Sequence, residues 1–217
     1  MISDSIVYSE TSAELVARYN ADPDKASAYW GAEEVTTVRQ EIKAHYIGEQ
    51  QHLCCYCGIP DPATHGLDWD VEHIVPQKRH PDFLFTQTNL GVACRECNVS
   101  KGAKETLVDP SVSAYPSTSE AFRVVHPHFD EWSDHILRDH VTYASFTEKG
   151  RWTIKECRLT RFDERVIGLR YAISDIRYEE PVRRLLAGGA NLQDIADRLR
   201  LSTNTDTAAG SDDYLAS

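Results

Sequence analysis

Two Cys-x-x-Cys pairs constrain this chain more than any other feature. The first comprises Cys54 and Cys57, and the second comprises Cys94 and Cys97. Four thiolates arranged in two such pairs suit a tetrahedral zinc ion and leave it no open position for water. In a reducing compartment this pattern favours a metal over disulfides. We therefore predict a structural zinc ion, with any catalysis carried out by other residues.

The rest of the composition is that of an ordinary globular protein. Hydrophobic residues make up 41% of the chain and charged residues 26%. No apolar run approaches the ~18 to 20 residues that span a bilayer, and the first residues lack a basic segment followed by an apolar one. We therefore expect a cytoplasmic protein without membrane contact. Cys55 and Cys157, which lie outside the pairs, are expected to be neutral packed thiols.

Polar residues suited to phosphodiester hydrolysis stand between and just after the two cysteine pairs. Glu72 and His73 lie in a predicted strand, Asn89 begins the strand predicted to return, and Asn98 lies in a predicted short helix. Hydrolysis needs a deprotonated water and a cation that neutralises the charge building on the phosphate. A neutral imidazole takes the proton from water near pH 7, and an oxygen-ligated Mg²⁺ or similar ion supplies the charge. One histidine and one cation are sufficient for this reaction.

With these residues in this order, the segment from Cys54 to Gly102 resembles an HNH endonuclease finger, also called a ββα-metal finger. The resemblance implies that His73 is the general base. It also implies that Glu72 and Asn98 bind a divalent cation, Mg²⁺ or Mn²⁺, for catalysis. Asn89 would orient the loop that carries the histidine.

The acid before the histidine departs from the commonest form of the motif. Many members of the family have aspartate there, whereas Glu72 is one methylene longer. On an extended strand Asp70 and Glu72 share one face, and His73 lies on the other. Asp70 therefore stays open as an alternative cation ligand. A bend near the end of the strand would let Glu72 and His73 reach one phosphate.

Charge is distributed unevenly along the chain. The net charge of -11 argues mildly against a nucleic-acid partner. Between residues 72 and 104, however, basic side chains outnumber acidic ones. We expect Lys78, Arg79, Arg95 and Lys101 to form a small basic face that contacts nucleic acid. Such contact would be weak and sensitive to salt unless a partner assists it.

The periodicity of the flanking regions predicts an α+β protein. The expected segments are an N-terminal helical arm (1–50), the zinc-pinned finger (51–105), a C-terminal hairpin-plus-helices extension (106–202) and a disordered acidic tail (203–217). In the arm, helices are predicted at about 11–20, capped by Ser12, and at about 32–48. The second helix buries one apolar face against the finger, formed by Val35, Val38, Ile42 and Tyr46.

A hairpin and several helices are predicted in the C-terminal extension. Residues 122–125 and 139–147 have strand character, and Trp152 alternates with Ile154 after a predicted turn at 148–150. Helices are expected at about 161–178, at 180–187 and from 191 to 199.

The resemblance implies a metal-dependent endonuclease that hydrolyses DNA, with the finger helix against the backbone or in the minor groove. The layout is also similar to small bacterial HNH proteins that act with an ATPase in defence against phage, which implies an ATPase partner. Two alternatives stay open. A non-catalytic zinc module would bind nucleic acid or protein, and an RNase would use the same catalytic residues.

Overall fold

The computed structural model describes residues 2–60, 69–139 and 142–161. These residues form helices and two small antiparallel sheets, which confirms the α+β class. In chain order the elements are α1 (Glu10–Ala21), α2 (Thr36–Glu49), β1 (Trp69–His73), β2 (Leu90–Cys94), α3 (Arg95–Lys101), β3 (Ile136–Asp139), β4 (Thr142–Ser145) and α4 (Glu148–Glu156).

Part of the prediction lies outside the described residues. The described residues end at Arg161. The helices expected at about 161–178, 180–187 and 191–199 therefore lie outside them, apart from Arg161 itself, and so does the tail at 203–217. Among the described helices, none is both long enough and apolar enough to cross a membrane.

The finger consists of β1, β2 and α3. The two strands pair antiparallel, with His73 opposite Leu90 and Trp69 opposite Cys94. Helix α3 follows β2 directly, so the predicted order of strand, loop, strand and helix is confirmed. The strand predicted to hold Glu72 and His73 ends at His73. There the backbone N–H of Val75 donates to the side chain of Asn89 at 2.7 Å instead of continuing the ladder.

Helix α2 packs its apolar face against the two strands of the finger. The four residues predicted for this face are all fully buried: Val35, Val38, Ile42 and Tyr46. The Tyr46 hydroxyl also donates to the backbone carbonyl of Gln87 at 2.8 Å, just before β2. The arm is therefore fastened to the finger by both apolar packing and a buried hydrogen bond.

The predicted cap of the first helix was one turn too late. The Oγ atom of Ser9 accepts from the backbone N–H of Ser12 at 3.4 Å, so Ser9 is the N-cap of α1. Ser12 is buried instead, and its hydroxyl donates to Glu41 on α2. Two serines three residues apart both suit a cap in sequence, and in the structure Glu41 accepts from the hydroxyl of each.

One hydrophobic core runs through the arm, the finger and the described part of the extension. The β3–β4 hairpin packs beneath the first cysteine pair. Tyr143 donates its hydroxyl to the carbonyl of Cys57 at 2.9 Å. Trp132 donates its indole N–H to the carbonyl of Tyr56 at 3.1 Å. The extension thus supports the turn that holds the cysteines.

The extension contains a helix where a strand was predicted. Residues 148–150 form the first turn of α4, and Trp152 and Ile154 lie within that helix. Thr147 caps it by accepting from the N–H of Gly150 at 3.1 Å. Residues 122–125 form a single bridge, between Phe122 and Leu107, rather than a strand. The hairpin is instead formed by β3 and β4.

Gly150 allows a close contact between α4 and the hairpin. A Cβ atom built at this position would lie 2.1 Å from the carbonyl oxygen of His135. We expect Gly150→Ala to lower the free energy of unfolding by about 1 to 3 kcal/mol, because the backbone of the hairpin must move. Urea denaturation measures the loss. Gly48→Ala in α2 is the matched control, since nothing lies within 4 Å of its added Cβ, and equal losses in both variants would contradict the prediction.

Candidate active site

The four paired cysteines lie together at one end of the finger. The Sγ atoms of Cys54, Cys57, Cys94 and Cys97 all lie within 4.8 Å of one another, and none is in a disulfide. The first pair lies in a tight turn that Gly58 closes with a φ of +62°, a conformation that glycine adopts without strain. The second pair lies where β2 passes into α3.

This cluster fits a structural metal ion. Four thiolates around a dication carry two net negative charges, which need compensation when they are buried. Arg161 provides part of it, because its guanidinium donates to Cys97 Sγ at 3.3 Å and to Cys94 Sγ at 3.7 Å. The backbone N–H of Cys94 also donates to Cys54 Sγ at 3.3 Å. Cysteine sulfurs are soft ligands of the kind that zinc accepts.

A cleft of about 790 Å³ opens between the finger and the arm. Five of its lining residues are basic, namely Arg39, Lys43, Lys78, Arg95 and Lys101. Its acidic lining residues are Asp70 and Glu72. A basic cleft on a chain with a net charge of -11 indicates a polyanionic ligand at this place.

His73 lies at the end of β1 and faces this cleft with a buried ring. Its side chain is 5% exposed, and Nε2 lies 3.0 Å from the backbone carbonyl of Leu84. A carbonyl oxygen only accepts, so Nε2 carries the proton and Nδ1 keeps its lone pair. The indole of Trp30 meets the imidazole edge to face, with ring centroids 4.5 Å apart. Both contacts fix the orientation of the ring.

The surroundings of His73 keep its imidazole neutral. Burial lowers the pKa of His73 from 6.5 to about 3, and the positive charge of Lys101 adds to this effect. The hydrogen bond to Leu84 opposes the shift only in part. At neutral pH the ring therefore has a free lone pair at Nδ1, the form that can accept a proton, and a pKa this low makes it a weak base until the charge around it changes.

The lowered pKa of His73 predicts a loss of stability in acid. Below pH 6.5 the unfolded chain protonates this histidine while the folded chain does not until about pH 3, so stability falls as the pH drops through this window. One proton corresponds to about 1.4 kcal/mol per pH unit. We expect His73→Gln to show a slope shallower by nearly this amount between pH 6 and 5, measured by urea denaturation. Parallel slopes would mean that folded His73 titrates normally.

Asn89 fixes the turn that follows β1. It is fully buried, and its Oδ1 accepts from the N–H of Val75 at 2.7 Å. Its Nδ2 donates to the carbonyl of Phe83 at 2.9 Å. The next residue after Phe83 is Leu84, whose carbonyl accepts a hydrogen bond from the Nε2–H of His73. Asn89 therefore joins the end of the strand to the loop segment that holds the histidine ring.

The two carboxylates of β1 have different partners. Glu72 is 2% exposed, and its Oε1 accepts from the Tyr56 hydroxyl at 2.9 Å and from Lys101 Nζ at 2.5 Å. Burial raises the pKa of Glu72, although Lys101 and Tyr56 oppose the shift. Asn98, predicted to face Glu72, donates instead to Asp70 Oδ2, with a nitrogen–oxygen distance of 3.0 Å.

The four predicted nucleic-acid contacts occupy different environments. Lys78 and Arg95 are exposed and line the cleft. Arg79 is exposed and donates to the carbonyl of Ala103 at 2.8 Å. Lys101 is only 2% exposed, and besides Glu72 its ammonium contacts the carbonyl of His73. The charge of Lys101 is therefore paired with Glu72 inside the site.

The arm contributes cleft residues that sequence reasoning assigned to structure alone. Arg39 and Lys43 from α2 line the cleft, as does Trp30, which contacts His73. Thr36, Arg39 and Lys43 recur at helical spacing beside the buried apolar face. This polar stripe could have identified these cleft residues from the sequence, because a helix that covers a site presents a polar face to it.

The segment that holds the cysteine cluster and His73 is similar to a known family. Residues 54–104 match the family model described as HNH endonuclease, so the chain contains an HNH endonuclease domain. That segment holds both cysteine pairs and three of the predicted site residues, His73, Asn89 and Asn98.

Two curated proteins are similar to longer parts of the chain. Septu protein PtuB of Bacillus thuringiensis is 23% identical over 127 residues, which is 58% of this chain and 43% of that protein. Protein ea31 of Escherichia phage lambda is 27% identical over 93 residues, which is 43% of this chain and 26% of that protein. The chain therefore matches less than half the length of each relative.

Proposed function

We propose that this chain is a metal-dependent endonuclease that hydrolyses DNA phosphodiester bonds. One observation carries the proposal: a neutral histidine with a free Nδ1 lone pair lies in a basic cleft beside a carboxylate–amide pair. A base, oxygen ligands for a cation and phosphate-binding charges are together what the hydrolysis requires. The HNH domain match supports the same reaction.

Each residue of the site has a part in this proposal. His73 takes a proton from the attacking water through Nδ1, while Leu84 and Trp30 hold its ring. Lys78 and Arg95 contact the phosphates, and so do Arg39 and Lys43 across the cleft.

The proposed metals have separate tasks. A divalent cation, Mg²⁺ or Mn²⁺, supplies positive charge to the phosphate when bound at the edge of β1 that carries Asp70, Glu72 and the facing Asn98. Zinc at the four cysteines keeps α3, and with it Asn98, against that strand. Because thiolates fill the zinc site, the phosphate has no place there.

We also propose that the nuclease serves a defence system against phage, together with an ATPase. The similarity to Septu protein PtuB supports this role. The resemblance to small HNH proteins that act with an ATPase supports the partner. A partner would also compensate for the net charge of -11, which disfavours binding of DNA by this chain alone.

Cleavage of supercoiled plasmid tests the nuclease proposal. Zinc-loaded protein is incubated with plasmid and Mg²⁺ or Mn²⁺, with a chelator control and a structured RNA in parallel. Nicked or linear DNA that appears only with the cation supports the proposal. Cleavage of RNA alone would reassign the substrate. Failure to cut either, with zinc bound and the fold intact, would favour a zinc module that only binds.

A further inference from the structure

The two carboxylates on one face of β1 have different environments, and we infer that they divide two roles between them. Asp70, with Asn98, holds the catalytic cation. Glu72, with Lys101, positions the backbone of His73. This inference rests on the proposed function, and it departs from the family resemblance, which assigns the cation to the acid next to the histidine.

The negative charge of Glu72 is already offset by the ammonium of Lys101. Lys101 Nζ lies 2.5 Å from its Oε1, and both side chains are 2% exposed. A divalent ion at Glu72 would lie beside this ammonium in a medium of low dielectric constant, where like charges repel strongly. Moving Lys101 away would leave a buried charge without its partner. Because Lys101 already offsets its charge, Glu72 is therefore the poorer cation ligand of the two carboxylates.

The Glu72–Lys101 pair has a different use in the site. The ammonium of Lys101 also contacts the backbone carbonyl of His73, the last residue of β1. The Tyr56 hydroxyl donates to the same oxygen, Glu72 Oε1, at 2.9 Å. The buried side chains of Tyr56, Glu72 and Lys101 thus fix the end of β1 that carries His73. Glu72 and Lys101 are therefore positioning residues.

Asp70 and Asn98 offer what a hard cation requires. Both are partly exposed and line the cleft, and Asn98 Nδ2 lies 3.0 Å from Asp70 Oδ2. Rotation of the Asn98 amide about its terminal bond exchanges nitrogen and oxygen, and so presents an oxygen beside the carboxylate. Mg²⁺ retains several waters and needs only one or two protein carboxylates together with phosphate oxygens. This pair is therefore sufficient.

Mn²⁺ binding without nucleic acid tests the division of roles. Zinc-loaded full-length protein is titrated with Mn²⁺, and free Mn²⁺ is followed by its paramagnetic resonance signal. We expect Asp70→Asn to weaken binding at least about 10-fold, as loss of a ligand should, with an unchanged melting temperature. Glu72→Gln alone would leave Lys101 unpaired, so the comparison uses Glu72→Gln/Lys101→Met. This double variant should retain more of its Mn²⁺ affinity than Asp70→Asn does, because both proposed ligands are intact.

Cleavage kinetics separate a positioning role from a ligand role. Raising Mn²⁺ should restore cleavage by Asp70→Asn in part. The double variant should lose about 10- to 100-fold in kcat at unchanged KM, without recovery at high Mn²⁺, because the base is misplaced.

The inference is overturned if the double variant loses Mn²⁺ while Asp70→Asn retains it, or if the wild type binds no Mn²⁺. Wild-type protein that binds Mn²⁺ through Asp70 but cuts no nucleic acid would reject the nuclease proposal and keep the ligand assignment. The two failures are therefore distinguishable.

Discussion

His73→Ala is expected to lower the rate of plasmid cleavage by about 10²- to 10⁴-fold, the usual contribution of a positioned general base. The wild-type ring is neutral because burial lowers its pKa to about 3, and its Nε2 proton is held by Leu84. Nδ1 is thus the atom that accepts the proton of water, and alanine leaves nothing in its place. Single-turnover cleavage of supercoiled plasmid, with Mg²⁺ in excess, measures the loss.

The matched control for this variant is His45→Ala. His45 hydrogen-bonds the backbone carbonyl of Asp4 through Nε2 at 2.9 Å and is not among the residues that line the cleft. It should cleave at the wild-type rate. Metal analysis and a melting curve establish that His73→Ala is folded and holds zinc. A folded His73→Ala protein that cuts within about 3-fold of the wild type would exclude His73 as the base.

Features that depend on local spacing were predictable from the sequence. The Cys-x-x-Cys pairs place two ligands on one turn, and the clustering of all four thiols follows once the strands between them pair. The apolar stripe of α2 follows from the 3.6-residue period of a helix, and its four predicted members are buried. The spacing of such residues along the chain determines their arrangement locally, so they can be predicted without the tertiary fold.

The partners of the two acids could not be predicted, because they depend on the direction in which α3 crosses β1. Asp70 and Glu72 are two residues apart on a strand, a spacing of about 6.8 Å, and Asn98 and Lys101 are three apart on a helix, about 4.5 Å along its axis. The helix therefore sets Asn98 against Asp70 and Lys101 against Glu72. Had α3 crossed in the opposite direction, the pairing predicted for Asn98 would have been favoured.

The error at α4 has a local cause. Two apolar residues at alternate positions, Trp152 and Ile154, suggest a strand but are too few to establish its period. In the structure the buried positions of α4 are Gly150, Thr153 and Ile154, which follow the period of a helix. Two features favour the helix over the strand: the N-cap at Thr147, and Gly150, which lets the helix approach the hairpin.

Loss of one thiol from the cluster is expected to remove the metal and unfold the finger. Cys97→Ser should abolish zinc binding and the cooperative melting transition. Structural zinc in small fingers contributes about 10 to 16 kcal/mol, which matches or exceeds the total stability of about 5 to 15 kcal/mol of most domains. Strands β1 and β2 are only five residues each, so few ladder hydrogen bonds hold the finger together without the metal. Metal content by mass spectrometry and thermal unfolding by circular dichroism measure the two effects.

Cys55→Ala is the control, because Cys55 is adjacent to Cys54 in sequence but outside the cluster of four. Burial raises the pKa of its thiol, which is therefore neutral at neutral pH. This variant should retain one zinc per chain and melt near the wild type. A Cys97→Ser protein that keeps both its zinc and its transition would show that three cysteines suffice. The other three thiolates would then hold the metal, and Cys97 would not be needed to keep Asn98 against Asp70.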